Sequence, residues 1–415
     1  MQNNLPPWYA LPKADIPRSV AIIGGGLAGL SCAYALVKRG LSVSIYEAAT
    51  NIASHASGNH AGMLMPQIVA SPNLESLFYE QGFSFAHDCL AMLANQGLKV
   101  EADLSGLLYL SANQQLENRI HRYREKHFSL NHYPFVDVND ASKLAGVPLS
   151  VGGLHLKNAG WVSVPSLCKN LQIACAEKLR LFCNTRILNI VRLNQAWHLQ
   201  TSMNEMLKAD AVIIANAMAA KQFEMCKELP LFRSPGQLNL ISENAFSRKL
   251  KTTLCGECYF LPSIDGKHVL GASFRGQDAG HRISTQDYQG NLTDLAHISP
   301  QLTEAIHLQP WQGKVSDRAT TIDHLPLVGP LPEREGFFKD YERMRHGDKR
   351  ADYPDVEYLP NLYVSLGFGA RGLSACLLAG EIIACLMHQS TLPVDEKIYQ
   401  ALHPARFYLR SLKRQ

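Results

Sequence analysis

Gly24-Gly25-Gly26-Leu27-Ala28-Gly29 stands between a short apolar run at residues 20–23 and a helical pattern over residues 27–39. An apolar run without alternation suits a strand buried on both faces of a parallel sheet. Ala, Leu and Tyr line the buried side of the following helix, and Gly40 is placed to stop it. In this G-x-G-x-x-G arrangement, Gly24 permits the tight turn, Gly26 lets a pyrophosphate approach the backbone, and Gly29 brings helix against strand. Leu27 and Ala28 then open a helix whose free N–H groups and dipole favour the anion. A second strand over residues 41–46 ends at Glu47, followed by Ala48. An acid about 20 residues past the glycines accepts from a ribose hydroxyl and disfavours a 2′-phosphate. Glycines alone are weak evidence; strand, helix and acid around them specify a dinucleotide-binding βαβ unit.

At 415 residues the chain is long for one compact unit, and its 46% apolar content allows a large core without disulfides or metals. A helical pattern fills residues 71–98, residues 181–192 and 209–215 read as strands, and residues 237–274 alternate like antiparallel strands. Residues 361–366 are strand-like again, and Gly367-Phe368-Gly369-Ala370-Arg371-Gly372-Leu373 leads into an apolar helix through Leu386. This order predicts an α/β fold: a Rossmann-like domain built from the discontinuous segments 19–100, 155–230 and 305–400, plus a mostly antiparallel-sheet substrate domain from 101–154 and 231–304. Residues 1–18, with Pro6, Pro7 and Pro12, read as an extended linker, and residues 401–415 as a basic tail.

A formal net charge of only +4 excludes a globally basic nucleic-acid binder, so any such contact must come from local clusters. Ten scattered cysteines fit a reduced compartment. The close pair Cys255 and Cys258 lacks the second pair or His pair of a zinc site, so no metal is expected. Residues 1–17 have no apolar leader core, and no run approaches the roughly 18 apolar residues of a spanning helix. A cytoplasmic protein without membrane contact is expected.

The βαβ unit, Ala56-Ser57-Gly58-Asn59 and Asp323-His324-Leu325-Pro326-Leu327-Val328-Gly329 together resemble the D-amino-acid oxidase and glycine oxidase group of flavoproteins. A narrower likeness is to the oxidoreductase half of the MnmC enzymes of 5-methylaminomethyl-2-thiouridine biosynthesis in tRNA. It rests on Gly62 and Pro66, on residues 160–168, on Ala319-Thr320, on Gly369-Ala370-Arg371-Gly372-Leu373 and on the tail from Leu402 to Leu412. Residues His60-Ala61, Met63-Leu64-Met65 and Ala217 depart from that pattern; a glycine is common at the last.

The resemblance implies FAD as cofactor and, as reaction, oxidation of the carboxymethylaminomethyl arm of a wobble uridine with release of glyoxylate. It implies tRNA as partner; the chain holds no stretch like the family's methyltransferase, which is either a separate protein acting on the product or a part cut away. Ser57, Gly58, Asn59 and Gly62 are implied to wrap the flavin, Ile187 to contact the cofactor, and residues 369–373 to present N–H groups to it. A substrate carboxylate calls for a planar bidentate donor, and Arg318 has the implied spacing before Asp323. Tyr259 and Arg275 are further candidates for the catalytic site, and His324 reads as structural or flavin-adjacent. For RNA, residues 119–126 and 343–350 read as solvated charged faces, whereas residues 406–414, with Phe407 and Tyr408 interleaved, suit phosphate contact and stacking. A free small amine such as glycine or sarcosine is the alternative substrate.

Overall fold

The computed structural model describes residues 5–13, 15–125, 133–348 and 352–414. Ser19–Ile23 pairs in parallel with Ser42–Tyr46 on one side and Ala211–Ile214 on the other. These lie in a six-stranded sheet ordered Leu327–Pro332, Tyr358–Leu366, Ala211–Ile214, Ser19–Ile23, Ser42–Tyr46, Leu179–Phe182, with only Leu327–Pro332 antiparallel to its neighbour.

The continuous apolar run at residues 20–23 has a direct cause. Val20 and Ile22 pack with the helices Leu27–Val37 and Cys376–Met387, whereas Ala21 and Ile23 pack with Trp197 and Leu199 of a three-stranded antiparallel sheet. Both faces are covered, so alternation disappears. The two helices cross at backbone contact: a Cβ on Gly380 would lie 2.5 Å from the carbonyl carbon of Ser31.

The second unit is an eight-stranded sheet ordered Trp311–Thr321, Leu231–Ser242, Lys267–Gly271, Tyr259–Phe260, Thr253–Cys255, Leu107–Leu110, Gly153–Leu156, Phe135–Val136. All its pairs are antiparallel except Thr253–Cys255 with Leu107–Leu110.

The α/β class and the helices near the predicted ones are present, with Leu27–Val37 and Leu74–Asn95 in the places read for them. Several boundaries differ. Trp311–Thr321 is bonded along its length to Leu231–Ser242, so the strand belongs to the larger sheet and the segment drawn from 305 begins after Thr321. Gly153–Leu156 likewise joins that sheet. Residues 181–192 divide into Leu179–Phe182 and Ile187–Leu193, in different sheets, with Asn184 turning the chain at φ 53°.

The ends are packed. Trp8 lies edge-on to Tyr341 and Tyr353, Tyr9 is buried, and Tyr358 Oη donates to the Ala10 carbonyl at 2.6 Å. Pro7–Tyr9 forms a single 3-10 turn, and the prolines around it do not prevent docking. Residues 405–412 form a helix that buries Phe407, Tyr408 and Leu412, so the expected tail is part of the core. No helix among the described residues is long and apolar enough to cross a membrane.

Candidate active site

The glycine turn has the geometry a dinucleotide needs. Gly24 has φ 110°, and a Cβ there would lie 2.8 Å from the Ala215 carbonyl oxygen. A Cβ on Gly29 would lie 2.0 Å from the Gly24 carbonyl oxygen, which is the close helix–strand approach read from the motif. Gly26, at the helix N-cap, has no side chain to occupy the helix end. Glu47 is buried; its two carboxylate oxygens accept from the Gly25 N–H at 2.7 Å and the Ala49 N–H at 2.8 Å. Each oxygen keeps a lone pair for a ribose hydroxyl. Ala48 is exposed at the strand end, and the Ile187 side chain packs in the core with Tyr46 and Ile23.

The loop after this turn folds back on it. Ser57 Oγ accepts from the Leu27 N–H at 3.0 Å. A Cβ on Gly58 would lie 2.2 Å from the Ala53 carbonyl oxygen and 2.7 Å from Lys314 Nζ, and one on Gly62 2.9 Å from Leu373 Cδ1. Ser374 Oγ donates to the Met65 carbonyl at 3.1 Å. Loop 57–62 and turn 369–373 therefore meet, although more than three hundred residues separate them in sequence.

One strand connects the two. Residues paired directly across a ladder share a face, and alternate residues of a strand do too. Lys314, Leu238, Gly271, Tyr259, Cys255 and Tyr109 form one such row across the larger sheet. Ser316, Arg318 and Thr320 stand on the same face of Trp311–Thr321. Ser316 Oγ is 3.5 Å from Asn59 Oδ1, and the Gly369 N–H donates to the Ala319 carbonyl at 2.7 Å. The strand thus runs from the glycine-rich loop at Lys314 to the glycine turn at Thr320, with Arg318 between them.

Arg318 has the state expected of a ligand-binding guanidinium. Its Nη2 donates to the Ser273 carbonyl at 3.1 Å, while its buried Nη1 has no partner. Burial pulls its pKa down, and nearby Tyr259 opposes that. An unpaired buried cation is costly, and a bidentate carboxylate would repay it. Its guanidinium lies 4.3 Å over the ring of Phe274, which is 70% exposed. Tyr259 is on the same face, and burial raises its phenol pKa against the opposing effect of Arg318.

Arg275 is a correction. Its guanidinium donates to Asp287, the carbonyls of Gly280 and Arg282, and Gln237 Oε1, which leaves it as the clasp of the 272–284 loop. The tail arginine is another: Arg406 chelates both oxygens of Asp323 at 2.9 and 3.1 Å and donates to the Leu325 carbonyl. Burial raises the Asp323 pKa, but Arg406, Thr321 and the Leu325 N–H outweigh it and hold the carboxyl below its usual range. Buried Phe407 and Tyr408 cannot stack on a base. His324 has φ 61°, and its carbonyl accepts from Tyr79 Oη at 2.9 Å. Cys255 and Cys258 are buried and reduced.

Lys314 escaped sequence reasoning. It is half-buried, burial depresses its pKa, and its amine lies against the Gly58 backbone. An even spacing from Arg318 on a strand was the available signal.

A model of the FAD-dependent oxidoreductase family matches residues 19–386. The chain is 34% identical over 415 residues to a Stutzerimonas stutzeri protein named tRNA 5-methylaminomethyl-2-thiouridine biosynthesis bifunctional protein MnmC, covering 98% of this chain and 62% of that one. The same-named protein of Pseudomonas syringae pv. tomato gives 34% over 416 residues with the same shares. The chain therefore spans about three-fifths of the length of these relatives. Glycine oxidase from Geobacillus kaustophilus superposes with a TM-score of 0.76 at 22% identity, over 94% of this chain and 98% of that one. Iminodiacetate oxidase from Chelativorans sp. BNC1 gives 0.74 at 19%, over 92% and 98%. With a glycine turn shaped for a dinucleotide and a family match over nearly the whole chain, this protein belongs to the FAD-dependent oxidoreductases and takes FAD as its cofactor.

Proposed function

We propose that the protein oxidises the carboxymethylaminomethyl arm of 5-carboxymethylaminomethyl-(2-thio)uridine at the tRNA wobble position, giving 5-aminomethyl-(2-thio)uridine and glyoxylate. The observation that carries this is the buried, unpartnered Nη1 of Arg318, on the sheet face that also bears Tyr259 and meets the cofactor loops. It is the donor a terminal carboxylate needs, and the MnmC-named relatives point to the arm that carries one.

FAD, when bound, supplies the acceptor for two electrons; residues 24–29, Glu47, 57–62 and 369–373 would hold it. Arg318 grips the carboxylate by two parallel N–H groups and so fixes the adjacent CH₂–NH bond in one orientation. Phe274 covers the outer face of that guanidinium and keeps water from competing for it. Tyr259, held as the neutral phenol by burial, donates a hydrogen bond without adding charge. Loss of two electrons and two protons from the CH–NH unit gives an imine, and water then splits it into glyoxylate and a primary amine. That amine is the substrate class of an N-methyltransferase, the partner activity this reading calls for.

The test is anaerobic mixing of purified holoenzyme with an anticodon stem-loop carrying the modified uridine, beside glycine and sarcosine. Flavin bleaching by the RNA with stoichiometric glyoxylate supports the reading. Bleaching by the free amines alone replaces it with a small-amine oxidase.

A further inference from the structure

We propose that one face of the helix Gln114–Glu125 is the phosphate-contacting rim on which the RNA around the modified base rests; this builds on the wobble-uridine reading. The helix is amphipathic in a specific way. Leu116, Ile120 and Tyr123 are buried, and Gln115, Asn118, Arg119 and Arg122 follow one another at helical spacing on the exposed side. Those four line a cavity of about 580 Å³, whose inner wall includes Thr320 and residues 369–371. Residues 369–371 also belong to the turn that would hold FAD, so this cavity is shared between cofactor and substrate, and the helix forms its outer wall. Arg371 places a third guanidinium in it, over the Tyr79 ring at 5.4 Å.

The charges on this wall are free to meet an anion. Among the described residues neither Arg119 nor Arg122 has a carboxylate partner; Arg119 Nη1 donates to Tyr109 Oη at 2.9 Å. The cavity's one acid, Glu75, already accepts from Gln67 Nε2 at 2.8 Å. The other cation of the helix end, Arg124, is stacked on Phe135 at 4.3 Å. In the other basic clusters Arg343 pairs with Asp348, Arg345 with Glu342 and Arg406 with Asp323, whereas Arg410, Lys413 and Arg414 lie outside this cavity. Lys126 and Arg350, in the clusters read from sequence, lie outside the described residues.

The cavity face of the helix offers guanidinium and amide donors and no aromatic ring, which suits backbone phosphates, contacts that fix position without reading sequence. Arg119 is also tied through Tyr109 to the row that carries Tyr259, so an RNA seated on the rim presents its base toward Arg318.

The experiment is salt-dependent binding of the modified stem-loop to holoenzyme, read by fluorescence anisotropy. Each phosphate contact in single-stranded RNA contributes about 0.7 to the slope of log K against log salt. Arg122→Gln, which leaves the Arg119–Tyr109 bond in place, lowers the slope by about 0.7, and Arg119→Gln/Arg122→Gln lowers it by about 1.4. Arg343→Gln/Arg345→Gln serves as the matched control and leaves the slope as in wild type. An unchanged slope in Arg122→Gln and in the double variant overturns the rim, as does an equal fall in the control. If the stem-loop never bleaches wild-type flavin, the substrate reading fails; if it does and the slopes do not move, the rim alone fails.

Discussion

Arg318 donates one N–H to the Ser273 carbonyl and holds another buried without a partner, so half its hydrogen-bonding fork is anchored and half is open. Arg318→Gln keeps the anchor and loses the charge. We expect kcat/KM to fall by about 30- to 1,000-fold, equivalent to about 2–4 kcal/mol, with the flavin spectrum unchanged. Arg318→Lys recovers little, since a point charge cannot reproduce the planar fork. Steady-state kinetics beside the visible spectrum separate this from loss of cofactor; normal turnover in Arg318→Gln would remove the carboxylate anchor.

Phe274 shields that guanidinium from solvent. Phe274→Ala should raise KM by about three- to fivefold with kcat nearly constant, the worth of an exposed cation–π contact. A fall in kcat without a rise in KM would show that the ring acts on the reaction step.

Gly58→Ala puts a methyl group against the Ala53 backbone, an atom that cannot rotate away. The loop must shift, and the purified variant is expected to retain less than about a tenth of its FAD, on the order of 1.4 kcal/mol or more in affinity. The absorbance ratio of flavin to protein measures it directly, and full occupancy would show that the loop does not touch the cofactor.

His403 makes stability acid-sensitive. It is fully buried; Nδ1 accepts from the Ala405 N–H at 3.0 Å, so the neutral ring carries its proton on Nε2, 3.0 Å from Tyr358 Oη. Burial and then Arg406 push its pKa from 6.5 to about 3. Between those values the unfolded chain binds the extra proton, so stability is complete above pH 6.5 and declines as pH falls, by about 1.4 kcal/mol per unit. Thermal melts from pH 8 to 4 should show this slope, with a weaker one in His403→Asn; identical slopes would exonerate the histidine.

Ala217 occupies the left-handed region at φ 52°, where a Cβ costs about 1–2 kcal/mol. Ala217→Gly relieves that strain at a smaller entropic cost, for a net gain of about 0.5–1 kcal/mol in urea unfolding. A loss of stability would mean the methyl group packs usefully.

What could be read from sequence was local. The turn at Gly24 to Gly29 and the acid at Glu47 declare themselves because the contacts that define the motif, Gly29 against Gly24 and Glu47 on the Gly25 N–H, lie within one βαβ unit. Arg318 was singled out by the chemistry of carboxylates together with a resemblance, and its burial with one N–H open is what the fold adds. Arg275 and Arg406 were not, because the acids that capture them, Asp287 and Asp323, are set by how a loop and a terminal helix dock. The boundary drawn at 305 has the same limit: a strand of mixed polarity such as Trp311–Thr321 does not announce which sheet it joins, and only pairing with Leu231–Ser242 decides it. Phe407 and Tyr408 looked available among cations, yet helical spacing turns them inward.

The strand Trp311–Thr321 acts as a yardstick. Because its side chains alternate, inserting or deleting a single residue between Lys314 and Thr320 would swing Arg318 to the far side of the sheet while leaving both cofactor loops in place. Such a protein would still be yellow and folded, with the open guanidinium of Arg318 on the wrong face of the sheet. A substitution along this stretch changes one side chain and leaves the register of the rest, whereas a change of length moves every side chain beyond it, so the strand is a ruler on which side chains are exchanged and spacing is kept.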